Sequence, residues 1–68
     1  MTFDKIGAIV DRAIAYTEDI LQKAPQHSRV ALNGLERMRQ NLMLGAADHP
    51  ALRKLENYIK ELERRRLN

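Results

Sequence analysis

The chain has 68 residues, no cysteine, 31% charged and 4% aromatic residues, and a formal net charge of +3. A chain of that length forms one domain, 1–68, and buries only about 60% of its unfolded surface. Without cysteine it has neither disulfides nor thiolate metal sites, and a pI of about 9.7 permits acidic partners without requiring them.

The first helix is expected over about 3–24. Thr2 is placed to cap it, and Asp4 puts a negative charge at the positive end of the dipole. Phe3, Ile6, Val10, Ala13, Thr17, Ile20 and Ala24 recur at spacings of three and four, which is one helical stripe. Ile9, Ile14, Tyr16 and Leu21 widen it, so this helix is expected to pack on more than one side. Pro25 stops it, because the residue before a proline is driven out of the α region.

Ser28 has the chemistry of an N-cap for a second helix over about 29–44. Its stripe is Ala31, Leu35, Met38 and Leu42. Asn33-Gly34 interrupts helix propensity at a cost of about 1 kcal/mol relative to alanine, yet the flanking period stays helical. A glycine on a helix face also lets another helix approach closely. Gly45 is expected to end the helix as its C′ residue.

The third helix is expected over about 49–66, capped by Asp48 and opened by Pro50 in its first turn. Leu52, Leu55, Ile59 and Leu62 follow at spacings of three, four and three. Arg64, Arg65 and Arg66 complement the dipole at its end. Three helices joined by short turns predict an all-α fold of packed helical hairpins. A core this small, with disulfides and a zinc site excluded, favours self-association as a homodimeric bundle. Ile6, Val10, Ile14, Leu35, Leu55, Ile59 and Leu62 are expected in the core or the dimer contact.

Nothing in the sequence points to an enzyme. His27 and His49 lie far apart, and Gly7, Gly34 and Gly45 are isolated rather than grouped in a phosphate loop. Asp11 and Glu18, seven residues apart, share a helix face, but no Glu-x-x-His accompanies them. No metal and no cofactor are expected. No apolar run approaches the roughly 20 residues of a membrane span. Met1 to Lys5 show neither a basic n-region nor a long apolar stretch, so a cytoplasmic location is expected.

Binding is the remaining class. Met38, Leu42 and Met43, with Tyr58 beside the third stripe, exceed what three short helices need inside, and methionine and tyrosine suit protein contacts. With Arg64 and Arg65 they form the expected partner-binding set. Nucleic acid is the second choice. Arg37, Arg39, Arg53, Lys54, Lys60 and Arg64 to Arg66 make the C-terminal half basic, but Glu36, Glu56, Glu61 and Glu63 dilute it. Gly45 to His49 is also long for the turn of a helix-turn-helix.

Three segments carry a family resemblance: Ala24-Pro25-Gln26-His27-Ser28, Leu44-Gly45-Ala46-Ala47-Asp48-His49-Pro50 and Glu61-Leu62-Glu63-Arg64-Arg65-Arg66. In length and layout the chain resembles small phage-encoded anti-activators, helical proteins that disable LuxR-type quorum-sensing regulators. The resemblance implies a dimer that holds a transcription activator off DNA. It has no diagnostic motif, so no functional residue is carried over.

Overall fold

The computed structural model describes residues 3–67, with the side chains of 5–65. It contains α1 (Phe3–Lys23), a single 3₁₀ turn (Pro25–His27), α2 (Ser28–Gly45) and α3 (Pro50–Leu67). The expected Thr2 cap lies outside the described residues, as do the side chains of Phe3, Asp4 and Arg66. At 1.5 Å per residue, the 21 residues of α1 span about 31 Å. The molecule measures 34 × 19 × 15 Å, so α1 runs along its long axis. All three helix pairs are in contact.

The three helices form where the apolar periodicity places them; their ends depart from the sequence reading. Ser28 is not the cap of α2. It is already helical, at φ −60 and ψ −36, and its N–H donates to the Pro25 carbonyl. His27 stands at the cap position without a side-chain bond. Pro25 starts a 3₁₀ turn that carries the chain directly into α2, so backbone bonds replace the serine cap. Asp48 does not cap α3 either. Pro50 is the first helical residue, which leaves His49 to accept the N–H of Ala51 on its Nδ1 at 3.0 Å. The imidazole is buried and lies over α1, where a Cβ at Gly7 would stand 4.0 Å from its Cε1. Gly45 is the last helical residue rather than a left-handed C′ glycine: no described glycine has positive φ. Ala46, at φ −151 and ψ 48, leaves the helical region and ends α2, donating its N–H to the Leu42 carbonyl at 2.6 Å.

The core is a ridge on α3 set into the angle between α1 and α2. Leu52, Leu55, Ile59 and Leu62, together with Ala51, are buried. Of these, Ala51, Leu55, Ile59 and Leu62 form one cluster with Ile6 and Val10 from α1 and Leu32 and Leu35 from α2. Ile14, Ala13, Leu21, Met38 and Leu42 are half-buried around this cluster. Thr17 is buried in the α1 stripe without stranding its hydroxyl, which donates to the Ala13 carbonyl at 2.8 Å. On α2 the buried line runs through Leu32 and Leu35. Ala31, Met38 and Leu42 are turned partly to one side, and that offset decides what the fold leaves open.

Leu55 has no exposed surface, whereas Leu44 is 87% exposed. Leu55→Ala is expected to lower unfolding free energy in urea by about 2–5 kcal/mol. Leu44→Ala should change it by no more than about 0.5 kcal/mol. Comparable losses at the two positions would contradict this placement of the core.

Candidate functional site

Several of the polar groups the sequence singled out pair across or along the helices. Asp11 on α1 pairs with Lys54 on α3. Glu18, one turn pair further along α1, accepts the Tyr58 hydroxyl proton on Oε2 at 2.6 Å and an Arg65 N–H at 3.2 Å. Burial, then the Glu18 bond and the Glu18 charge, raise the Tyr58 pKa above its ordinary value; Arg65 offsets part of the rise. Arg64 pairs with Glu61, which also meets Arg65 at 3.6 Å. Arg39 bridges α2 to α3, with Glu36 at 3.1 Å and Glu56 at 3.9 Å, and donates to Met43 Sδ at 3.3 Å. Among the described residues no three metal-ligating side chains converge, and no buried side-chain nitrogen or oxygen lacks a partner.

The six residues expected to bind a partner therefore fall in three places. Tyr58, Arg64 and Arg65 lie along the α1–α3 seam and on α3 itself. Met43 lies beside Arg39. Met38 and Leu42 line a groove between α1 and α2.

That groove is lined mainly by apolar side chains of α1 and α2. One section, of about 510 Å³, has Tyr16, Ile20, Val30, Ala31 and Met38 in its walls, with His27 at its end. A second, of about 320 Å³, continues past Ile9, Arg37, Asn41 and Leu42. Gly34 and Met38 belong to both sections. No α3 residue lines either one, so the groove is the side of the α1–α2 pair that α3 does not cover. Its walls hold large apolar groups in solvent: Tyr16 is 65% and Val30 69% exposed.

Sequence periodicity signalled part of this. Ile9 and Tyr16 stood out as widening the α1 stripe. Val30 does not, because the α2 stripe is centred on Ala31 and Leu35, and Arg37 stands out only as one of the C-terminal cations. The signal was available in the exposed line Val30, Asn33, Arg37, Asn41 and Leu44, which interleaves polar and apolar residues at helical spacing. No family model, curated protein or solved structure matches this chain.

The Tyr58–Glu18 contact makes a pH prediction. The folded state holds the phenol protonated beyond its ordinary value of 10.0, so the unfolded chain releases that proton first. The stabilisation is complete below pH 10 and is lost as pH rises through and above it. The melting temperature of the wild type should therefore fall more steeply above pH 10 than that of Tyr58→Phe, which has no proton to lose. Parallel curves would show that the contact is absent in solution.

Proposed function

We propose that this chain is a small regulatory protein that acts by binding another protein across the α1–α2 face. Its most concrete form is an inhibitor that occupies a transcription activator, as the likeness to phage anti-activators implies. The observation that carries the reading is the groove: a continuous apolar surface in a chain of 68 residues, with Tyr16 and Val30 standing in solvent. Exposed apolar area of this kind is costly for a lone protein and is the usual mark of a protein contact. Tyrosine supplies contact area at low entropic cost. A homodimer closed over the same face is the alternative occupant. Nucleic acid fits less well. Arg64 and Arg65 are engaged with Glu61 and Glu18, and the cations without an ion pair among the described residues, Lys5, Arg12, Arg29, Arg37, Arg53 and Lys60, are spread over all three helices.

Capture of a partner from a bacterial lysate tests this reading. Tyr16→Asp and Val30→Asp are expected to abolish capture while the helical circular dichroism is unchanged, since both side chains are mostly in water. Arg64→Ala should leave capture within about threefold, because an exposed pair contributes about 0–1 kcal/mol. Capture that survives both aspartates but vanishes on nuclease treatment would replace this reading with the nucleic-acid one.

A further inference from the structure

The groove differs from the rest of the surface in its charge. Seven of the eight carboxylates whose side chains are described are Asp11, Glu18, Asp19, Glu36, Asp48, Glu56 and Glu61, and six of these seven are in ion pairs. None of the seven lines either section of the groove, and neither does the eighth, Glu63. Along the outer edge of α1 the exposed residues Lys5, Ile9, Arg12 and Tyr16 follow one another at spacings of four, three and four. Ile9 and Tyr16 are groove walls, so Lys5 and Arg12 flank the same margin. Across the groove Arg37 is itself a wall residue. Among the described residues none of these three cations has an ion pair. Asp19, on the same side of α1, is neutralised by Lys23 at 3.1 Å. The floor is apolar and both margins are positive.

Gly34 adds a second observation. A glycine inside a helix costs about 1 kcal/mol against alanine, and here the fold does not demand it. Its φ is not positive, and a Cβ built on it would meet nothing within 4 Å. It stands where the two groove sections join. What the missing side chain provides is room for an approaching backbone.

Resting on the protein-binding reading above, we propose that the α1–α2 groove receives one amphipathic helix of a partner protein, apolar along its inner stripe and carrying carboxylates on both flanks. α3 already shows how such a helix packs, by its Ala51, Leu55, Ile59 and Leu62 ridge on the other side of the same pair. A helix laid in a groove through anchors at three- and four-residue spacing is a recurrent recognition mode. A second copy of this chain is disfavoured, because a face-to-face pair would join two positively charged margins with no groove-lining carboxylate to offset them. Nucleic acid is disfavoured because an apolar floor gives phosphates nothing to bind.

The probes are two labelled synthetic helices of about 18 residues, or about 27 Å. They share a leucine stripe and differ only in bearing glutamate or lysine at the flanking positions. Fluorescence anisotropy with the full chain should show the glutamate helix binding at least tenfold more tightly at low salt. The gap should narrow near 0.5 M salt, where exposed charges are screened. The triple variant Lys5→Glu, Arg12→Glu, Arg37→Glu should reverse the preference. Gly34→Leu should weaken binding at least tenfold while the melting temperature holds or rises, an outcome that misfolding cannot produce. Equal binding of the two helices, or affinity unchanged by Gly34→Leu, overturns the proposal. If the glutamate helix fails while Tyr16→Asp still abolishes lysate capture, the acidic-helix occupant is wrong and the protein-binding reading stands. If both fail, both fall. A chain that sediments as a dimer and excludes both helices assigns the face to a second copy and overturns the proposal.

Discussion

Burial of the α3 ridge in the angle between α1 and α2 is the constraint on which the rest of the molecule depends. Leu55 and Val10 are fully enclosed at its centre, and Leu35, Ile59 and Leu62 close around them. Among the described residues there are three α-helices, and α1 and α2 carry apolar faces wider than α3 covers. With α3 on one side of the α1–α2 pair, no described element covers the other. The groove is thus a consequence of the width of the α1 and α2 apolar faces. A fourth helix, supplied by another molecule, would complete a four-helix arrangement of the familiar kind.

Electrostatics sharpen the difference between the two sides. Contacts between α1 and α3 use Asp11 with Lys54 and Glu18 with Tyr58 and Arg65; the α2–α3 contact uses Glu36, Arg39 and Glu56. Exposed pairs of this kind add little stability singly. Their larger effect is on distribution: Asp11 and Glu18 are drawn toward α3, and the α1–α2 margin keeps Lys5, Arg12 and Arg37, with Asp19 there paired to Lys23. The modest net charge of +3 is therefore unevenly presented. His49 serves the same geometry from the α2–α3 turn, capping α3 at Ala51 while its ring rests on Gly7 of α1.

Helix positions were legible in the sequence because a period of three and four survives any detail of packing. The α3 ridge could be read residue by residue, since one regular stripe meets one cleft. Helix ends were less legible. Ser28 and Asp48 have the right chemistry for caps, but the two prolines set the geometry: Pro25 opens a 3₁₀ turn, and Pro50 at the first helical position moves the cap to His49. Histidine is not a favoured cap by propensity, and only the tertiary site over Gly7 makes it one. The site was half legible. An excess of apolar groups is a matter of composition, and it pointed to binding. Which of them face solvent depends on the rotation of each helix about its axis. A shift of one position on α2 carries burial to Leu32 and leaves Val30 in water. Tyr58 reads as an anchor for a partner until Glu18, forty residues earlier, is brought against its hydroxyl.

The central claim is that the α1–α2 face is open in the lone protein and covered in the complex. The absence of cysteine makes this directly measurable, because single cysteines at chosen positions have no competing thiol. Labelling rates for Tyr16→Cys and Val30→Cys, with Leu55→Cys as the buried reference, should be measured on the isolated chain and again with its partner bound. The expected result is rapid labelling of the first two in isolation, slow labelling of the third throughout, and strong protection of Tyr16→Cys and Val30→Cys only in the complex. Protection of those two sites in the isolated chain at all concentrations, or labelling unchanged by the bound partner, would contradict it.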